Sequence, residues 1–298
     1  MVKIGMLVSR VRMDEKMILE AAEKRGVHID LIDDRNLVYD LTEGATWIDE
    51  NGQRHLLARG SYDAVLERSI SYWGSYYATR HLEQYGVPCV NPHQVLRNCG
   101  DKAETSLLLA KHGVPTPRVR VAIDEESAIR ACDEMGYPCV LKPVVGSWGR
   151  LIAKADTREQ ALALIEHKAV LGGPQHSIFY VQEYVKKPDR DIRAFVVGDE
   201  VIAAIYRSNS KHFITNTAQG GKASNCPVTP ALTEICLKAA KAMGGGILAM
   251  DVMERPDGTL TCHEVNHTME FKNSVAPTGV DIPGKIVEYV VDVAKGRI

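Results

Sequence analysis

Residues 247–275 read ILAMDVMERPDGTLTCHEVNHTMEFKNSV. Two apolar runs flank Asp257-Gly258, a dipeptide that favours a tight hairpin because glycine tolerates positive φ. With the turn centred there, counting outward sets Asp251 directly opposite Glu264. Asn266, two residues further on, shares the face of Glu264. Opposed carboxylates in a sheet repel, and burying either without a partner is costly. Three oxygen-bearing side chains on one face of an apolar hairpin therefore ask for a cation. Hard oxygen donors with few protein contacts suit magnesium, which shares its shell with water and phosphate. A solvated hairpin face with incidental acids is the competing reading, and so short a motif does not choose between them.

The segment before the hairpin has an antiparallel character. Ile192–Val197, a Gly198-Asp199 turn and Val201–Tyr206 make a strand pair, and Leu232–Met243 a helix. Arg193 lies inside the apolar run DIRAFVV and Arg207 ends VIAAIYR. Arginines so placed need carboxylate or phosphate partners, bidentate for preference. The polar stretch TNTAQGGK at 215–222 holds a substrate or a phosphate, or is only a loop.

A unit opening near Pro92 precedes them. Helix patterns at Asp101–His112, Glu125–Met135 and Arg158–Lys168 alternate with strand patterns at Val119–Ile123, Tyr137–Val145, Leu151–Lys154 and Phe179–Val185. Lys142 sits in the apolar VLKPVV, where a lysine must snorkel out or meet an anion. The loop Gly146-Ser147-Trp148-Gly149-Arg150 follows. Its glycines free backbone N–H groups to approach phosphate oxygens, and Arg150 adds charge; an ordinary hairpin with a packed tryptophan is the alternative. Lys102 follows Gly100-Asp101 at a helix start, where a cation opposes the dipole unless an anion lies nearby. Gln182-Glu183-Tyr184-Val185 ends a strand whose backbone can present N–H and C=O groups to an adenine edge. Glu183 reads equally as a surface acid.

Up to residue 91, strand patterns at Lys3–Ser9, Val27–Ile32, Ala64–Glu67 and Val87–Val90 alternate with helices at Asp14–Arg25 and Tyr76–Tyr85. That rhythm predicts a parallel, doubly wound sheet, without the GxGxxG of a dinucleotide site. In the polar segment 40–60, Asn51-Gly52 turns a small hairpin. The C-terminus, Gly284–Ala294, is helical. With 298 residues, 45% of them hydrophobic, the chain can build two or three domains. A formal net charge of −2 gives no bulk attraction to nucleic acid or membrane surfaces. The apolar runs are strand-sized, so no membrane-spanning helix is expected. MVKIGMLVSR reads as a first strand, not a signal peptide. Seven scattered cysteines without CxxC spacing fit reduced thiols in the cytoplasm.

Two lysines, a glycine loop, two strand arginines and a carboxylate–carboxylate–amide set, in that order, resemble the ATP-grasp carboxylate–amine ligases over nearly the whole chain. GDK at 100–102, LKPVVGSWGRLIAK at 141–154, FYVQEYV at 179–185 and DIRAFVVGD at 191–199 resemble the LysX/ArgX/RimK family. HEVNHTMEFKNSV at 263–275 is similar to its LysX/ArgX branch. The resemblance implies an ATP-grasp fold of mixed α/β and α+β class. It implies a wound N-terminal domain over 1–91, a central lid domain over 92–183 and an antiparallel-sheet domain over 184–298. It also implies an ATP- and magnesium-dependent ligase. Lys102, Lys142 and residues 146–150 would hold the phosphates, residues 182–185 the adenine, and Asp191 the ribose. Asp251, Glu264 and Asn266 would hold magnesium. Arg193 and Arg207 would stabilise an acyl phosphate or a substrate carboxylate, with Asn216, Thr217, Asn273 and Ser274 contacting substrate.

In this family LysX joins L-2-aminoadipate to the C-terminal glutamate of LysW, an acidic carrier protein, in lysine biosynthesis. ArgX uses L-glutamate, and RimK adds glutamate to a ribosomal protein. Asn273-Ser274 matches the LysX form, where ArgX enzymes typically carry Gly-Phe. One methylene is worth only ~1–3 kcal/mol of discrimination, so dual use stays open. Gln219 stands where the family commonly has arginine, which either weakens an anion contact or leaves it to Lys222 or Arg207. Ser71–Ser75 matches nothing in the family and is a candidate for the carrier surface. The resemblance further implies a cytoplasmic homo-oligomer, dimer or tetramer, with no nucleic-acid or membrane partner. Basic residues at 186–193 and 207–222 would guide the acidic carrier. The base for the amine is not evident; released phosphate oxygens can serve.

Overall fold

The computed structural model describes residues 2–42, 44–49, 51–146, 149–209, 215 and 221–298. Ser147, Trp148, Asn216, Thr217 and Gln219 lie outside the described residues. The first unit runs β1 (Ile4–Val8), α1 (Met13–Lys24), β2 (Ile29–Asp33), β3 (Val38–Asp40), β4 (Gly44–Ile48), β5 (Arg54–Leu57), β6 (Ala64–Glu67), α2 (Tyr72–Gln84) and β7 (Cys89–Val90). Four of its strands lie parallel in the order β2-β1-β6-β7, the wound sheet the alternation predicts. β1 is buried at every position, as a strand covered on both faces must be. β3, β4 and β5 form a separate antiparallel sheet with Asn51-Gly52 in its second turn. Helix α2 opens at Tyr72 rather than Tyr76, because Ser71 Oγ caps it by accepting from Gly74 N–H.

The middle of the chain holds α3 (His93–Gly100), α4 (Lys102–Lys111), β8 (Val119–Ala122), α5 (Glu125–Met135), β9 (Cys139–Lys142), β10 (Ala153–Ala155), α6 (Arg158–Leu171) and β11 (Phe179–Glu183). The sheet β10-β9-β11-β8 is antiparallel and closes its own core with α5 and α6, from Ala122 to Val181. Within the expected span 92–183, α3 and α4 instead bury Val95, Cys99 and Leu109 in the core of the last sheet.

That last sheet, β14-β13-β12-β15-β16, is antiparallel throughout. It is built from β12 (Arg190–Val197), β13 (Glu200–Ser208), β14 (Lys222–Asn225), β15 (Ile247–Glu254) and β16 (Leu260–Asn266). Helix α7 (Pro230–Met243) interrupts these strands, and α8 (Val275–Thr278) and α9 (Ile282–Ala294) end the chain. One face sends Ile192, Ala194, Val196 and Met250 against α7. The other sends Phe195, Val197, Ile205 and Ala249 into a core shared with α9 and the parallel sheet. Each large apolar side chain so buried contributes about 1.5–3 kcal/mol. First and last units are therefore joined by a common core, which fixes whatever lies between them. Among the described residues no helix is long and apolar enough to cross a membrane, and all seven cysteines are free and buried.

Candidate active site

Strand β15 meets β16 with Asp251 opposite Glu264 and Ala249 opposite Asn266. The route differs from the tight turn expected. The connection is Arg255–Thr259, closed by Arg255 N–H to Thr259 O (2.8 Å) and Gly258 N–H to Arg255 O (2.9 Å). Val252, Met253 and Glu254 consequently face Cys262, Thr261 and Leu260. Continued, that register would oppose Asp251 with His263 and turn Glu264 to the other face. A bulge at His263 takes up the extra residue and brings the two acids together.

The strands around them share one face by alternation. Its apolar half is the common core; its other half carries Asp191, Arg193, Arg207, Asp251, Glu264 and Asn266. Arg193 is the cross-strand neighbour of Asp251 and grips it with two bonds, Nε–Oδ1 at 2.8 Å and Nη2–Oδ2 at 2.9 Å. Arg207, 1% exposed, makes the same fork to Asp191, at 2.7 and 2.9 Å. Its Nη2 also reaches Asp251 Oδ2 at 3.1 Å. Burial alone would push the Asp251 carboxyl up, but the two guanidiniums outweigh it and hold the group well below the usual carboxylate range. Lys187 Nζ donates to Thr215 Oγ1 at 3.0 Å, and that hydroxyl donates to Asp191.

The two lysines approach from the neighbouring units. Asp101 caps α4 by accepting from the N–H groups of Ala103 and Glu104, which sets Lys102 on the first turn. Lys102 Nζ donates to Gly146 O (2.6 Å) and stands 3.7 Å from Glu264 Oε1. Burial raises the Glu264 carboxyl, yet Lys102 pulls it below its ordinary value. Lys142 does not snorkel: it is 6% exposed, donates to Gln182 Oε1 at 2.8 Å, and burial pushes its ammonium down to about 8. Glu183 is no free surface acid, since Arg118 and Arg255 both bind it. Val185 is buried, and Lys154 lies over the Tyr184 ring at 5.3 Å. Gly149 is half-buried and Arg150 exposed.

Lys102, Gly146, Arg193, Arg207, Asp251, Glu264 and Asn266 converge on one cleft of about 220 Å³. Its opposite wall comes from the first unit, through Arg12, Ser69 and Tyr72; of these the sequence reading marked only Tyr72, as part of the segment Ser71–Ser75. Behind that wall, buried charges clamp the segment 267–274 that follows β16. Arg68 donates to Met269 O (2.8 Å), and Asp14 accepts from the N–H groups of Phe271 (2.6 Å) and Lys272 (2.9 Å). Glu67 accepts from Thr268 Oγ1 at 2.8 Å. Ser274, 2% exposed, and the exposed Asn273 lie on this segment but outside the cleft lining.

The donor set fits a hard cation that arrives with phosphate. Of roughly four acceptor positions on a carboxylate, the two arginines occupy three on Asp251. Five cations (Lys102, Lys142, Lys187, Arg193, Arg207) surround three carboxylates (Asp191, Asp251, Glu264). Among the described residues no group of three His, Cys, Asp or Glu side chains could hold an ion by itself. Such a site is poor for a bare ion and good for a magnesium–polyphosphate.

Residues 99–290 match the RimK-like ATP-grasp domain, and residues 4–97 the LysX preATP-grasp domain. The chain belongs to the LysX/RimK family of ATP-grasp ligases. It is 34% identical to the alpha-aminoadipate–LysW ligase LysX of Saccharolobus solfataricus, over 95% of this chain and 99% of that one. It is 32% identical to the glutamate–LysW ligase ArgX of Sulfolobus acidocaldarius, over 97% and 98%. The crystal structure of a RimK domain ATP-grasp protein from Sphaerobacter thermophilus superposes with a TM-score of 0.77 at 24% identity, covering 97% and 99%. As a LysX/RimK-family enzyme the protein is an ATP-dependent carboxylate–amine ligase, with the ATP-grasp fold the motifs implied.

Proposed function

We propose that this enzyme joins L-2-aminoadipate, through its α-amino group, to the side-chain carboxylate of the C-terminal glutamate of a LysW-type carrier. The observation that carries the reading is the single cleft in which Asp251 and Glu264 face Lys102, Arg193 and Arg207. It is a site for moving phosphate onto a carboxylate. In the first step a carboxylate oxygen attacks the γ-phosphorus of ATP, the bond to the bridging oxygen breaks, and ADP leaves. In the second, the amine attacks the acyl phosphate, the C–O bond breaks, phosphate departs, and the amine's proton passes to a phosphate oxygen. Lys102, Lys142 and Arg193 bind and orient the phosphates, and Arg207 faces the charge that develops on transfer. Magnesium, held by Asp251, Glu264 and Asn266, would supply neutralisation of the β- and γ-oxygens.

The carrier is supported by two kinds of relative: LysX and ArgX enzymes differ in amino acid, and LysW stands in both their names. Asn273-Ser274, the LysX form of that pair, favours aminoadipate. The likeness to ArgX at comparable identity keeps L-glutamate as the second reading. Intact-mass measurement of a LysW-type carrier, incubated with ATP and equimolar aminoadipate and glutamate, tests this. The aminoadipate adduct should dominate; an adduct of glutamate alone would assign the enzyme to the second reading.

A further inference from the structure

Tyr72 lines the cleft and also a second depression, an open groove of about 520 Å³. Helix α2, helix α4 and strand β8 wall it, so three parts of the fold meet there. Three large apolar side chains face this groove and stay in water: Trp73 is 54% exposed, Leu107 64% and Val121 49%. Grouped apolar exposure of that kind marks a contact surface. β8 ends its sheet, pairing with β11 alone among the described residues, so its outer edge can receive an extended chain.

The groove and the cleft are continuous at one point. Gly100 and Lys102 line the cleft, whereas Asp101 and Ala103 line the groove, so the start of α4 is the divide. The Tyr72 ring lies across it, against Gly100. A Cβ there would come within 1.8 Å of Tyr72 Cε2, so only glycine lets the ring sit. The larger groove beside β2, about 900 Å³, shares no lining residue with the cleft.

We propose that the groove between α2, α4 and β8 receives the extended C-terminal segment of the protein substrate and delivers its last residue past Tyr72 into the cleft. This rests on the ligase reading above. A cleft of about 220 Å³ takes reacting groups, not a folded protein, so a macromolecular substrate must thread a chain end. The path has to open into the cleft, and this groove does. Its charged lining is Arg97 against Asp101 and Glu104, one net negative charge, so the stretch lying in the groove is not itself acidic. The groove therefore selects a segment with apolar side chains before its acidic end, and holds it by apolar contact.

The experiment compares Trp73→Ala, Leu107→Glu and Val121→Glu with the wild type, using a LysW-type carrier ending in glutamate. Leu56→Glu, in the larger groove, is the control; Trp73→Phe keeps the test alive should a charged variant misfold. The KM for the carrier should rise roughly tenfold or more in the first three, with kcat and the KM for ATP within about twofold. The control should be unaffected. Adding carrier to the wild type should slow amide exchange at 72–77 and 119–123. Unchanged carrier KM in folded variants, or protection confined to 28–62, overturns the groove assignment alone. A wild type that neither binds nor modifies such a carrier overturns the ligase reading and this inference together.

Discussion

Asp251 and Glu264 face each other across the β15–β16 ladder because His263 bulges out of it. The pair divides its tasks. Arginines take three of the roughly four acceptor positions on Asp251, whereas Glu264 has only a lysine at ion-pair distance, so Glu264 is the more available to an incoming cation. Glu264→Gln should lower kcat by roughly 10²–10³-fold and leave the urea midpoint nearly unchanged. Steady-state kinetics beside a denaturation curve checks both; a variant with near-wild-type turnover would remove Glu264 from the chemistry.

Asp251 carries structure as well. Asp251→Ala strands Arg193 and the buried Arg207 without a shared carboxylate, and should destabilise the fold by about 3–5 kcal/mol. Replacing Arg193 by Met in the same chain should recover part of that loss. Urea unfolding of the two singles and the double gives the coupling. Additive losses would contradict the pairing described.

Lys142 predicts a pH dependence. Burial holds its ammonium at about 8 against the ordinary 10.5. Below pH 8 both states carry the proton, and the folded state bears a penalty of about 3 kcal/mol for the buried charge. Between pH 8 and 10.5 the unfolded chain still binds the proton that the folded one has lost. Through this group, stability rises with pH across that window. Nucleotide affinity runs the other way, because a neutral lysine no longer attracts phosphate. The KM for ATP should climb above pH ~8 in the wild type and be high and flat in Lys142→Met. A flat wild-type profile through that window would refute the assignment.

Asp14 governs the segment that bears Asn273 and Ser274. Asp14→Ala leaves the N–H groups of Phe271 and Lys272 without their acceptor, a loss of about 1–3 kcal/mol for each one left buried and unpaired. The ratio of kcat/KM for aminoadipate to that for glutamate should move toward one, and thermal unfolding should come earlier. An unaltered ratio would show that the clamp does not set selectivity.

What the sequence disclosed follows from the range of the interactions. Arg193 and Arg207 were legible as charges inside apolar strands, and Lys142 as a lysine in VLKPVV. The Asp251–Glu264 pairing was countable from Asp257-Gly258, although a longer loop and a bulge offset one another to give it. Arg12, Asp14 and Arg68 were not legible, and Tyr72 was marked only as part of Ser71–Ser75, a candidate carrier surface. Arg12 and Asp14 meet partners more than 250 positions away, and Arg68 one 201 away. Only the winding of the first sheet brings them together. The available signal was position: Arg12 and Arg68 follow the C-terminal ends of β1 and β6, where the strand order reverses and wound sheets bind ligands. Helix α3 and strand β3 are too short to announce themselves by periodicity.

The central claim is that ATP's terminal phosphate moves onto a carboxylate in the cleft between Asp251 and Arg12. Its most direct test labels the side-chain carboxylate of the carrier's C-terminal glutamate with heavy oxygen and follows the label through turnover with aminoadipate. The account predicts one labelled oxygen in each phosphate released, with ADP as the other product. Unlabelled phosphate, or release of AMP, would contradict it.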